Sequence, residues 1–172
     1  MRRLKPPMHT ATATPQASQT PEGTLPLHST NEGPRGANEP TPPIIVATAD
    51  QALARILTFA LEQIRLPFRL IDSGTDALRE LLAMRVGSQA PIVVLDVDLP
   101  GVDGHAILER LGVDRPDTFL ILVLSSHADE SVQVRSLLAG ALDHLAKPFN
   151  VRVLMAKIQR WAAMSSRAAG AS

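Results

Sequence analysis

The stretch Ile92-Val93-Val94-Leu95-Asp96-Val97-Asp98-Leu99-Pro100-Gly101 constrains this chain more than any other. Four consecutive apolar residues predict a strand buried on both faces, the environment of a central strand in a parallel sheet. That strand ends on Asp96. An acid in such a place is costly unless it is solvated, paired or bound to a cation. In open α/β sheets the ligand crevice lies beyond the carboxyl ends of the strands. The chain therefore delivers a carboxylate to the point where such folds do their chemistry. Pro100-Gly101 then breaks the strand, and Asp103-Gly104 starts a turn into the next helix.

The same alternation of buried strand and amphipathic helix continues on both sides. Ile44 to Thr48 reads as a first strand, and Asp50 as the cap of a helix bearing Leu53, Ile56, Leu57, Ala60, Leu61 and Ile64. Phe68 to Ile71 reads as a short edge strand, followed by a helix with Ala77, Leu78, Leu81 and Leu82. After the Ile92–Leu95 strand, Ala106, Ile107, Leu108 and Leu111 mark a third helix. Phe119 to Leu124 is a fourth strand. Val132, Val134, Leu137 and Leu138 lie on a helix stopped by Gly140. Ala141 to Ala146 is a fifth strand, and Asn150 caps a last helix through Val153, Leu154, Ile158 and Trp161. Five βα units with right-handed crossovers predict a flavodoxin-like (βα)5 three-layer sandwich, with parallel strand order 2-1-3-4-5.

The folded part is expected over residues 44–164. Before Ile44 the composition is dominated by Pro, Thr, Ser, Gly, Asn and Gln, too poor in apolar residues to offset chain entropy. Residues 1–43 therefore read as a disordered tail, with Leu25-Pro26-Leu27 a short apolar island, and residues 165–172 as a flexible C-terminus. Seventeen basic and seventeen acidic residues cancel. This balance lacks the cationic footprint of a nucleic-acid binder. The absence of cysteine excludes disulfides and thiolate metal sites. No apolar run is long enough for membrane insertion, and Pro6-Pro7 follows the basic start where a signal peptide needs an apolar core. The expected location is intracellular, that is, cytoplasmic.

In the predicted strand order, Asp50, Asp96, Ser125 and Lys147 stand at the ends of neighbouring strands and converge on one crevice. Two carboxylates suit a hard divalent cation such as Mg2+, which prefers oxygen ligands. A cation, an ammonium and a hydroxyl together suit the handling of a phosphoryl group. An aspartate there can act as nucleophile and form an acyl phosphate.

Asp96 with Leu99-Pro100-Gly101-Val102-Asp103-Gly104, and Gly140-Ala141-Leu142-Asp143-His144-Leu145-Ala146-Lys147-Pro148-Phe149, resemble the motifs of bacterial two-component response regulator receiver domains. The resemblance covers residues 44–164. It implies that Asp96 is the phosphoacceptor, phosphorylated by a histidine kinase or a phosphotransfer protein. It implies that Ser125 is the switch hydroxyl and that Lys147 bridges to the phosphate, in a Lys-Pro step that is often cis in the family. Metal ligands would be Asp50, Asp96 and the main-chain carbonyl of Asp98. Output would pass to a downstream protein or to a homodimer through the fourth helix, fifth strand and fifth helix, where Arg135, Arg152 and Lys157 lie. Two departures stand out. The family places two adjacent acids after its first strand, and here the pair reads Ala49-Asp50, so the Mg2+ site is expected to be weakened; restoring the acid with Ala49→Asp would strengthen it. The family also has Tyr or Phe where His144 stands, which reads either as a half-exposed surface histidine or as a pH-sensitive element of a partner face.

Two other functions compete. A pseudo-receiver would keep the fold as an interaction module with weak or no phosphorylation. A haloacid-dehalogenase-type phosphatase would use Asp96-Val97-Asp98 as its Asp-x-Asp motif, but that motif belongs on a first strand with a Thr soon after, and here Leu-Pro-Gly follows a third strand. The chain is thus expected to be a phosphorylation acceptor and not an enzyme in turnover. His9, His28, His105 and His127 lack metal-ligand spacing and read as surface residues. Trp161 reads as a packing or rim residue, and Asp143 as a solvated strand-end acid.

Overall fold

The computed structural model describes residues 44–127 and 129–169. The expected tail, with Leu25-Pro26-Leu27, His9 and His28, lies outside the described residues. Ten elements alternate: β1 (Ile44–Ala47), α1 (Gln51–Gln63), β2 (Phe68–Ile71), α2 (Gly74–Ala83), β3 (Ile92–Asp96), α3 (Gly104–Asp114), β4 (Leu120–Ser125), α4 (Glu130–Leu138), β5 (Asp143–Ala146) and α5 (Val151–Ala169). All strands are parallel and lie in the order β2-β1-β3-β4-β5. This is the flavodoxin-like sandwich read from the sequence. α5 continues past the expected boundary at 164 and ends at Ala169.

The central strands show why the apolar runs are continuous. Successive side chains alternate between the two faces of the sheet, and both faces are covered. On one side Ile44, Val46, Ile92, Val94, Leu122 and Leu124 pack with Leu53, Leu57 and Leu61 of α1 and Leu154, Ile158 and Trp161 of α5. On the other, Ile45, Ala47, Val93, Leu95, Ile121 and Val123 pack with Ala77 and Leu81 of α2 and Ile107, Leu108 and Leu111 of α3. Trp161 is thus a core residue, 8% exposed.

α4 departs from expectation. Apolar residues at helical spacing ordinarily form a packing face, yet Val134, Leu137 and Leu138 are exposed and the buried residue of the helix is Ser136. The helix is fastened through polar contacts rather than through an apolar stripe. Arg135 pairs with Glu109 of α3, and Ser136 bonds to His144 of β5.

Two glycines set the approach to the crevice. Gly101 has φ +85°, the left-handed region that favours glycine. At Gly104 a Cβ would stand 2.4 Å from the Asp96 carbonyl oxygen and 2.8 Å from the Val97 Cα. The absence of a side chain therefore lets α3 begin directly against the end of β3.

Candidate functional site

The pocket is assembled by strand register. Ala47 of β1 is level with Leu95 of β3, so the next rung sets Thr48 beside Asp96. Both fall on the sheet face shared with Val46 and Val94. Asp96 is level with Leu124 of β4, and Ser125 follows it. Ser125 is level with Ala146 of β5, after which comes Lys147. The Lys147 N–H donates to the Ser125 carbonyl at 2.7 Å, tying the two strand ends together. The Lys147–Pro148 bond is cis.

Asp96 is 1% exposed. Lys147 Nζ lies 2.7 Å from each of its carboxylate oxygens. Oδ1 also accepts from the Asp98 N–H at 3.1 Å, and Oδ2 from the Thr48 hydroxyl at 2.7 Å. These bonds answer the cost of burying the charge. The Asp98 carboxylate accepts from the Ser126 hydroxyl at 2.6 Å and stands 3.8 Å from Lys147 Nζ. The Ser125 side chain is fully buried and accepts from the His127 N–H at 3.0 Å.

The structure thus brings Asp96, Lys147 and the Asp98 segment into contact and sets Ser125 at the end of the adjoining strand. It puts Asp50 to a different use. Asp50 is exposed, and its Oδ1 accepts from the Ala52 and Leu53 amides at 2.9 and 3.1 Å as the N-cap of α1. The residue that reaches Asp96 is Thr48, directly after β1, and Ala49 packs against the core on the α2–α3 side. The expectation that Asp50 takes the second acid's place in a metal set is corrected accordingly. The register lines up position 48, not 50, with Asp96. Among the described residues, no three His, Cys, Asp or Glu side chains gather where they could hold a metal ion. The donor set here, one buried carboxylate already bonded to an ammonium and a hydroxyl, does not fit Mg2+, which needs several oxygen ligands held in octahedral geometry.

His144 is not a half-exposed surface histidine. It is 6% exposed, with Nδ1 3.2 Å from Ser136 Oγ. That hydroxyl already donates to the Val132 carbonyl at 3.0 Å, so the imidazole is the donor to it, with its proton on Nδ1. Burial lowers the His144 pKa, nearby His105 lowers it further, and Asp143 pulls the other way. Asp143 is not solvated alone but pairs with Lys157 of α5. Thr48, Ser126 and Ser136 were missed by sequence reasoning. For Thr48 the signal was present: it is the first polar residue after the β1 apolar run, as Asp96 is on β3.

The residues of this site lie within a segment, 44–159, that matches the response regulator receiver domain family. The chain belongs to that family. Among curated relatives, this receiver is 35% identical over 121 residues to the phosphate regulon transcriptional regulatory protein PhoB of Rhizobium meliloti, covering 69% of this chain and 51% of the relative. It is 33% identical over 116 residues to the transcriptional regulatory protein FixJ of Bradyrhizobium diazoefficiens, covering 67% and 54%. The chain spans about half the length of the curated relatives it matches. Among solved structures, the BeF3-activated DrrB receiver domain superposes with a TM-score of 0.57 at 27% identity, covering 69% of this chain and 94% of that one. The receiver domain of the Francisella response regulator 1452 shares the fold, with a TM-score of 0.63 at 21% identity and coverage of 70% and 96%. Receivers are signalling modules of two-component systems rather than enzymes in the usual sense. No helix among the described residues is long and apolar enough to cross a membrane.

Proposed function

We propose that this receiver accepts a phosphoryl group on Asp96 from a phosphorylated histidine of a kinase or phosphotransfer protein, and signals by protein contact. The observation that carries the reading is the Asp96–Lys147 arrangement: a buried carboxylate at a strand end with an ammonium 2.7 Å from both oxygens. A carboxylate oxygen attacks phosphorus and forms the new O–P bond. The P–N bond breaks, and the imidazole leaves with its electron pair. The product is an acyl phosphate. Lys147 is placed to neutralise the phosphoryl oxygens as charge moves onto them. Ser125 turns its hydroxyl from accepting the His127 amide to donating toward a phosphoryl oxygen, and this reorganises the β4–α4 segment.

The output face is the surface of α4, β5 and α5. Leu137, Leu138, Leu142 and Val153 are exposed there, and Arg152 is exposed beside them. A protein partner or a second copy of the chain would cover this mixed surface. A location in the cytoplasm accords with this reading.

The test is incubation with acetyl phosphate, with and without MgCl2, followed by intact mass. Wild type gains the mass of one phosphoryl group and Asp96→Asn gains none. Equal labelling of Asp96→Asn would refute the acceptor. A second reading, a pseudo-receiver acting only as an interaction module, is favoured by one observation: Asp50 is spent as a helix cap and Thr48 faces Asp96. An unlabelled wild type that still binds its partner would select it.

A further inference from the structure

We infer that Thr48 is a positioning residue that closes the Asp96 carboxylate with a neutral hydrogen bond and leaves this receiver pocket without a divalent-cation site. A carboxylate offers about four lone-pair sites. At Asp96 four donor contacts occupy them: Lys147 Nζ on each oxygen, the Asp98 N–H on Oδ1 and the Thr48 hydroxyl on Oδ2. A cation entering this pocket must take an oxygen from Lys147 or from Thr48.

Thr48 is held firmly for this task. It is 3% exposed, and its Oγ1 both donates to Asp96 and accepts from the Asp50 N–H at 3.2 Å. That second bond links the clamp to the start of α1, because the same Asp50 caps the helix through its side chain. The carboxylate that might have joined Asp96 around a cation is therefore directed to the helix amides, and a neutral hydroxyl stands at its rung. The net charge left to attract a divalent cation is only −1. Asp96 and Asp98 carry two negative charges and Lys147 returns one, all within the bonded cluster. A hard divalent cation is held through carboxylates and other oxygens, and here one carboxylate is saturated while the other is engaged by Ser126.

The inference concerns cation binding and stands whether or not Asp96 is phosphorylated. Its test uses the full chain in three forms: wild type, Thr48→Asp and Thr48→Val. Mg2+ binding is read by calorimetry and by the shift of Tm on adding millimolar MgCl2. Wild type and Thr48→Val should show no Tm shift and no binding heat. Thr48→Asp should bind Mg2+ at least about 10-fold more tightly than wild type, the scale by which a single acid at a metal site changes affinity, and its Tm should rise with the ion. Should Thr48→Asp fail to fold, paramagnetic Mn2+ decides on wild type alone. Unbroadened amide resonances of Asp96, Asp98 and Lys147 support the inference, and selective broadening of those three overturns it. Wild-type Mg2+ affinity equal to that of Thr48→Asp would also overturn it. Labelling by acetyl phosphate is measured separately, so loss of the phosphoacceptor reading and loss of this one are distinguishable.

Discussion

Removing Lys147 should reveal how far the Asp96 pocket depends on its one cation. In Lys147→Met the stem remains while both 2.7 Å contacts to Asp96 are lost. Breaking a buried ion pair by deleting one partner costs about 3–5 kcal/mol. Asp96 meets the condition of burial at 1% exposure, but the Lys147 side chain is 20% exposed, so the full figure does not apply. The carboxylate also keeps the Thr48 hydroxyl and the Asp98 amide. The expected loss is about 2 kcal/mol once these are discounted. Asp96→Asn should cost about 1–2 kcal/mol, because the amide keeps one oxygen to accept from Lys147 but turns an NH2 donor toward groups that themselves donate. The double variant should be more stable than the sum of the two losses implies, by about 1 kcal/mol, since the second substitution removes a partner already stranded. Urea unfolding followed by Trp161 fluorescence measures all three, because Trp161 is buried against α1 and the sheet. Losses that add to within about 0.5 kcal/mol would refute the claim that the pair acts as a unit.

Three further perturbations address the frame around the pocket. His144 has a lowered pKa, so the unfolded chain binds more protons than the folded one across the window below the ordinary value of about 6.5; stability should be full above that value and fall as pH drops through the window, and His144→Phe should flatten this slope in pH-dependent denaturation. Arg115 donates from Nη1 to the carbonyls of Leu81, Leu82 and Met84 at 3.0, 2.9 and 2.8 Å and lies 5.2 Å from the Phe119 ring centroid. Arg115→Ala should cost about 2 kcal/mol by leaving the end of α2 without its donor; a fully stable Ala variant would sink this account. Gly104→Ala should destabilise by about 1–3 kcal/mol through overpacking against the Asp96 backbone, whereas Gly87→Ala, with nothing within 4 Å of its added Cβ, should leave urea midpoints unchanged.

The strands were legible because their side chains answer to a single local condition. A strand covered on both faces is apolar along its length, as β1 is throughout and as β3 and β4 are up to their last residues, Asp96 and Ser125. Asp96 was legible for the converse reason, because a charged residue ending such a run needs an explanation, and Lys147 through the Lys-Pro step that follows β5. α4 misled because exposed apolar residues at helical spacing look like a packing face, while the residue that packs is a serine. His144 misled because its partner, Ser136, is eight positions away on another element and carries no periodic signal.

The chain's own order of residues determined the alternation of elements, the layers they build and the acid and lysine at the strand ends, since each follows from local burial and turn chemistry. Only the tertiary structure decided which residue faces Asp96. Asp50 has two possible uses, helix cap or pocket acid, and sequence distance does not choose between them. The parallel register of β1 on β3 does. It sets Thr48 on the rung of Asp96 and carries Asp50 past it to the amides of α1.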